Sequence, residues 1–342
     1  MKNLLNYLMI AMLATAVMFS GCKDDPEETP PPAKGNFETL KNYMVNNGLD
    51  LPDLLSSPTK WVTAPTLMAD GGIVDSDNGH TIPGYYVFDI RKAEDFAKGR
   101  VPGSINVALT DVVAKANEVG KDKPILVVCY SGQTAGRAVM ALRLSGFSDA
   151  QVMKFGFSYW SSDENFDKWS GKTLNGAGDV AVGSANWTME ATGPSLPSND
   201  FPTWETTSTD GATILADNVA AMLANSEWGV SGDDVLADPL GYNIYNYWNA
   251  ADYTKYGQYK GAYQIMPVSL ASDVVKAFPT SDLFTYYCYT GQTSSFAVAW
   301  LQVLGYNARS IFYGVNHMQY TALEQGGATV WHHSLDYPYE KD

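Results

Sequence analysis

Hydrophobic and polar positions along this chain fall into two series that repeat one another. In the first, residues 86–90 form a β-branched and aromatic run that predicts a strand, and residues 93–98 have helical spacing. KPILVVCY (123–130) follows, an almost unbroken apolar run of the kind buried on both faces of a parallel sheet. After a glycine-containing turn, AVMALRLSG (138–146) has the apolar spacing of a helix with glycine just past its end, and AQVMKF (150–155) predicts another strand. The second series keeps the order: a strand at 244–248, DLFTYYCY (282–289), a turn, AVAWLQVLG (297–305) and ARSIFY (308–313). Each long apolar run ends at a cysteine.

The match extends beyond the loops. YYVFDIRKAEDF (85–96) aligns with YNIYNYWNAADY (242–253), PGSINV (102–107) with KGAYQI (260–265), and the offset drifts by two residues over the whole span. This is a tandem duplication of an α/β unit with a parallel sheet. About 300 residues remain beyond the leader, more than one ordinary core holds, which again predicts two domains. The expected boundaries are 36–185 and 206–342, with a Gly-, Ser-, Thr- and Pro-rich linker at 186–205.

Composition narrows the function. A formal net charge of −15 and the absence of any Lys or Arg run argue against a nucleic-acid partner. The four histidines show no metal-ligand spacing with the cysteines, and no cofactor motif is present. Residues 1–22 read as a targeting segment: Lys2, an apolar run from Leu4 to Phe19, then Ser20 and Gly21 before Cys22. The run is short for a spanning helix. FSGC resembles the lipobox of bacterial lipoproteins, which implies lipidation of Cys22 and a membrane-anchored place in the cell envelope, in the periplasm or at the outer surface of a Gram-negative bacterium. The acidic residues after Cys22 resemble the surface-export signal of Bacteroidota. KDDPEETPPPAK, within 23–35, reads as an extended tether, and an ordinary cleaved secretory signal is the alternative.

The mature fold then holds just Cys129 and Cys288, each in C-Y-[S/T]-G-Q-T. Chemistry, one mutual disulfide, or two inert core thiols are the possible readings. A cysteine at the carboxyl end of a buried strand, before a helix, lies where α/β folds place ligands. A loop turning at Gly132 or Gly291 directs backbone N–H groups and a helix start at the sulfur, which is expected to favour the nucleophilic thiolate. Ser131, Thr134, Thr290 and Thr293 are donors to the sulfur or helix caps. Gln133 and Gln292 contact substrate or solvent, and Tyr130 and Tyr289 border the site.

D-I-R at 89–91, F-x-x-G-R-V-P-G-S-I-N-V at 96–107, the C-Y-S-G-Q-T loop and F-G-F-x-x-W at 155–160 together resemble a rhodanese domain, with a weaker copy from 211 to about 317. The resemblance implies two tandem rhodanese-like domains, each a parallel sheet flanked by helices. It implies sulfur transfer without a cofactor: a small donor such as thiosulfate or a polysulfide loads the cysteine as a persulfide, and a thiol or cyanide accepts the sulfur. Asp89 and Arg91 would brace the loop, with Arg137 in support. Arg91 is the structural partner of Asp89 or a substrate clamp. Related cysteine phosphatases need a longer loop closed by arginine, whereas the first arginine here is Arg137, eight residues after Cys129. In the second unit Asp89, Arg91 and Arg137 become Asn246, Trp248 and Phe296, so Cys129 is expected to be the principal nucleophile, with Cys288 keeping its whole loop. The competing class is a membrane-tethered binding or redox-sensing module on the same fold.

Overall fold

The computed structural model describes residues 35–342. The targeting segment, Cys22 and the tether up to residue 34 lie outside the described residues. Gly35 is already part of the fold, since Gly35–Asn36 pairs antiparallel with Glu205–Thr206. Helix α1 (Phe37–Asn46) follows, capped by the Asn36 side chain, which accepts from Thr39 N–H.

The first unit contributes strands β1 (Val62–Thr63), β2 (Tyr86–Asp89), β3 (Ile105–Asn106) and β4 (Ile125–Val128), helix α2 (Gln133–Leu144) and strand β5 (Gln151–Met153). Its sheet is wholly parallel, in the order β1-β5-β4-β2-β3, with Tyr86 opposite Ile125 and Asp89 opposite Val128. The second unit opens with α3 (Gly211–Ala224) and runs through β6 (Gly229–Val230), β7 (Asn243–Asn246), β8 (Tyr263–Gln264), β9 (Phe284–Tyr287), α4 (Gln292–Val303) and β10 (Ala308–Ile311). Its order, β6-β10-β9-β7-β8, is the same topology position for position, and again every pair is parallel. The fold class read from the two hydrophobic series is the one observed.

Alternate residues of the central strands face different cores, as the two-residue period of a strand requires. Ile125 and Val127 of β4, with Phe284 and Tyr286 of β9, point into one shared core with α1 to α4. Leu126 and Val128 face a separate cluster on the outer side of the first sheet, and Tyr287 faces its counterpart on the second. Helices α2 and α4 therefore lie between the sheets and against one another. Every residue of α2 except Thr134 is buried, which explains its lack of a polar face.

Contacts cross the boundaries drawn from the repeat. Asp50, ahead of the first sheet, accepts from Leu270 N–H and Ala271 N–H and from the Ser269 hydroxyl of the second unit. The segment after the first unit is a strap: Trp187–Thr188 pairs antiparallel with Gln258–Tyr259, and the Trp187 indole donates to Tyr256 O. The C-terminal stretch returns to the first unit, where Leu335 N–H and Tyr337 N–H donate to Tyr159 O and Trp160 O, and the Trp160 indole donates to Pro338 O. Residues 35–342 accordingly hold together in one compact unit.

Candidate active site

Both cysteines stand at the carboxyl ends of the central strands, where β4 and β9 turn into α2 and α4. The turns are made by Gly132 and Gly291, at φ +81 and φ +75, left-handed angles that glycine adopts without strain. This brings Gly132 N–H to 3.1 Å and Ala135 N–H to 3.3 Å from Cys129 Sγ. Cys288 Sγ accepts from Ser294 N–H at 3.4 Å and donates to the Ser294 hydroxyl at 3.7 Å. Each loop is held from below by the chain after the next strand: Phe157 N–H donates to Cys129 O, and Val315 N–H to Cys288 O.

Both thiols are free and 2% exposed, so no disulfide joins the units. The N–H groups that favour a thiolate at Cys129 are in place, but burial works against it. Burial pushes its thiol above the ordinary range, and the N–H groups of Ala135, Ser131 and Gly132 offset that shift in part. The loop is built to hold an anionic sulfur, yet its dryness makes the anion costly until something else stabilises it.

Asp89 and Arg91 form a fully buried pair, with Arg91 Nη2 at 2.6 Å from Asp89 Oδ2 and a further hydrogen bond to Gly99 O. Arg91 is thus the structural partner of Asp89, and its guanidinium lies 3.9 Å from the centre of the Phe157 ring and 5.9 Å from that of Tyr130. In the second unit Trp248 takes the same place under Tyr289, stacked at 4.7 Å, so an aromatic ring replaces a cation as the support. Tyr130 and Tyr289 donate to Asp95 and Asp252, each at 2.5 Å. Burial, then the bond to Asp95, raises the Tyr130 phenol to about 12, so it stays a donor.

Two other expectations are corrected. Arg137 does not support the sulfur loop. It runs along the unit interface, donates to Met222 O and to Asn225 O at 2.7 Å beyond the end of α3, and lies 5.2 Å from the Trp228 ring centre. Burial brings it down to about 10. Phe296, its counterpart, packs on Trp61 at 4.9 Å. For Gln133 and Gln292, expected at substrate or solvent, it is solvent that is ruled out: they are 2% and 3% exposed, and each lines its own cleft and reaches across to the opposite unit. Gln133 Oε1 accepts from Tyr313 N–H, and Gln292 Oε1 accepts from Phe155 N–H, both at 2.8 Å. Gln133 also donates to the Ser131 hydroxyl at 3.0 Å, tying the brace to its own cysteine loop. A Cβ on Gly132 would collide with Gln292, and one on Gly291 with Gln133. The repeated G-Q pair is therefore a reciprocal joint: each glycine leaves room for the other unit's glutamine.

Above each loop lies a cleft walled by the other unit. The cleft beside Cys129, about 490 Å³, is lined by Tyr130, Ser131, Gln133 and Thr134, by Lys92, Asp95, Asn165 and Lys168, and across the interface by Trp228, Phe312 and Tyr313. The cleft beside Cys288, about 320 Å³, has Tyr289, Thr290, Gln292 and Thr293 on one side and Lys60, Trp61, Val62 and Lys154 on the other. The loop hydroxyls serve both kinds of role: Thr134 and Thr293 line the clefts, while Ser131 accepts from Gln133 and Thr290 from Gln292 N–H. The cross-interface walls were missed from the sequence. Matching Lys154 to Phe312 and Trp61 to Trp228 within the repeat places them beside their own strands, and nothing in a linear pattern shows that they line the cleft over the other unit's loop. Among the described residues no group of three or more His, Cys, Asp or Glu is placed to hold a metal. His317 instead joins Lys172 O at 2.8 Å to Asp233 at 3.1 Å.

Comparison with known proteins gives these observations a lineage. The rhodanese-like domain model matches residues 74–163. The chain is 40% identical over 82 residues to the uncharacterized protein YibN of Escherichia coli (strain K12), covering 22% of this chain and 56% of that one. It spans 56% to 62% of the length of YibN, YqhL and YrkF, the last two from Bacillus subtilis (strain 168). It is 36% identical over 80 residues to the thiosulfate sulfurtransferase GlpE of Pseudomonas savastanoi pv. phaseolicola, covering 22% of this chain and 73% of GlpE. Among solved structures, a thiosulfate sulfurtransferase from Pseudomonas aeruginosa is 15% identical, covering 75% of this chain and 63% of that one with a TM-score of 0.23. The 3-mercaptopyruvate sulfurtransferase from Leishmania major is also 15% identical, at 74% of each chain and a TM-score of 0.24. With GlpE matched over most of its length and the domain match enclosing the strand, loop and helix around Cys129, the chain belongs to the rhodanese-like family.

Proposed function

We propose that this protein is a sulfurtransferase in which Cys129 carries sulfane sulfur as a persulfide. The observation that carries this reading is the pair of N–H groups converging on Cys129 Sγ at the end of β4, next to an open cleft of about 490 Å³. In the loading step the Cys129 thiolate attacks the outer sulfur of thiosulfate, a Cys129 Sγ–S bond forms, and sulfite leaves with the electron pair of the broken S–S bond. In the second step an acceptor thiolate or cyanide takes that sulfur and regenerates the cysteine thiolate. The N–H groups of Gly132 and Ala135 hold the negative sulfur in both directions, in a site from which water is largely excluded. Asp89 and Arg91 serve at one remove by fixing Phe157 and Tyr130. Cys288, in the matching loop, is a second carrier. The lipobox reading adds that the enzyme works in the cell envelope, anchored through Cys22, which acid-stable fatty-acid labelling of wild type but not of Cys22→Ser would test.

The test of activity is peptide mass spectrometry on the reduced full chain after thiosulfate or polysulfide. Added sulfur on Cys129 that cyanide removes, and loss of most thiosulfate:cyanide turnover in Cys129→Ser, are the expected results. The burial of both sulfurs is the observation favouring the tethered binding or redox-sensing module. Failure of every donor to place sulfur on either cysteine would decide for that reading.

A further inference from the structure

The two clefts are built on one plan but are not chemical duplicates. At the position that follows the fifth strand of the sheet, backbone N–H groups make equivalent bonds, Lys154 to Thr63 O and Phe312 to Val230 O. Their side chains form walls of the clefts over the other unit's cysteine loop. The wall facing the Cys129 cleft is thus Trp228, Phe312 and Tyr313, while the wall facing the Cys288 cleft carries Lys60 and Lys154. The Cys129 cleft also carries two lysines, Lys92 and Lys168, beside Asp95, which pairs with Lys98 and accepts from Tyr130, whereas no carboxylate lines the Cys288 cleft. Asp252 is near, but it lies behind Tyr289, whose hydroxyl donates to it.

Neither lysine is spent elsewhere. Among the described residues, Lys60 and Lys154 make no ion pair, and the Lys154 ammonium rests 5.0 Å from the Phe155 ring centre. Lys154 is also partly desolvated, and burial lowers its pKa. A half-buried ammonium without a counter-charge, beside Thr290, Thr293 and Thr329 and a helix start, is a set of groups that an anion would satisfy.

We propose that Lys154 and Lys60 of the first unit are specificity residues for Cys288, making its cleft selective for a small oxyanion such as thiosulfate. This rests on the sulfur-transfer reading for its biological use, but anion selectivity is measurable apart from it. At Cys288 the balance is that of the first site: the thiol proton leaves to solvent through the cleft, the thiolate bonds the outer sulfur, and sulfite departs with the electron pair. The smaller volume, about 320 Å³ against about 490 Å³, suits an inorganic donor over an organic one.

The experiment is a sulfate titration of the ¹⁵N-labelled full chain, read at the amides of Thr290 and Thr293. Saturable shifts are expected, with affinity falling about tenfold in Lys154→Gln and less in the more exposed Lys60→Gln, while the Ser131 and Thr134 amides respond alike in all three proteins. Lys60 is a surface residue, so its variant keeps the test open if Lys154→Gln folds poorly. No movement of Thr290 and Thr293 in wild type, or unchanged affinity in both variants, overturns the proposal. A parallel measurement in Cys129→Ser separates it from the function: thiosulfate loading of Cys288 that ignores Lys154→Gln sinks the proposal and leaves sulfur transfer standing. Lysine-dependent sulfate binding without loading upholds the selective cleft and removes Cys288 from the transfer chemistry.

Discussion

Cys129 shows how one residue can be served and hindered by the same fold. Three backbone donors favour its anion and burial opposes it, with burial the larger effect, so the folded protein binds the thiol proton more tightly than an exposed cysteine does. Thiolate is the attacking species, and the raised value means that its population still climbs with pH above the ordinary thiol range. Persulfide loading should therefore rise by about tenfold per pH unit between pH 7 and 9, followed by rapid quench and mass spectrometry. A profile flat across that interval would show that the resting sulfur is already ionised. Asp89 makes a different residue-scale prediction. Its carboxylate is the sole ion-pair partner of a fully buried Arg91 among the described residues, so Asp89→Ala should destabilise the protein by about 3–5 kcal/mol in urea unfolding. Asp89→Asn, which retains a hydrogen-bonding side chain, should cost less. The Asp-Ile-Arg motif made this pair legible in the sequence because its two members are neighbours. Arg137 was misread because its partners, Met222 O and Asn225 O, are distant in sequence and are backbone atoms, which leave no residue signature.

At the scale of elements, the hydrophobic series placed the strands and helices well where burial was complete. KPILVVCY and DLFTYYCY became β4 and β9, fully buried along their lengths, and the helical runs after the loops became α2 and α4. Legibility ended where an element answers to a partner outside its own unit. The apolar character of α2 reads as a helix facing one sheet, whereas it is enclosed between its own sheet and α4. The strap around Trp187–Thr188 read as linker because two paired residues carry no period. The turn after β5 yields an element-scale prediction. Gly156 has φ +64, and a Cβ there would lie 2.5 Å from Cys129 O and 2.6 Å from Gly132 N. Gly156→Ala should cost about 1–3 kcal/mol from the backbone angles alone, φ +64 with ψ −157, and more from displacing the loop. It should lower the rate of sulfur loading at Cys129 while leaving Cys288 nearly unchanged, which site-resolved mass spectrometry would detect. Equal losses at both cysteines would point instead to general unfolding.

Across the whole molecule, the joint between units decides stability and reading alike. The shared core draws on α1 to α4 and both sheets, and the C-terminal stretch is fastened to the first unit, so the two repeats should not fold apart. Residues 35–185 expressed alone should be insoluble or expanded by size-exclusion chromatography, and the intact chain should unfold in one transition. Gln133→Leu or Gln292→Leu should each cost about 1–3 kcal/mol, since each strands a buried N–H, of Tyr313 or of Phe155, without its acceptor. The duplicated C-Y-[S/T]-G-Q-T loop first suggested two copies of one machine. The glutamine exchange gives the duplication another meaning. Because Gln292 anchors the turn under Cys129, and Gln133 the turn under Cys288, a lesion in one repeat will be scored as a fault of the other. Selection acting on either cysteine is then enough to preserve the loop sequence around both. Each loop's glutamine therefore answers to the packing of the other unit as well as to its own cysteine, and the two repeats are heritable as a pair.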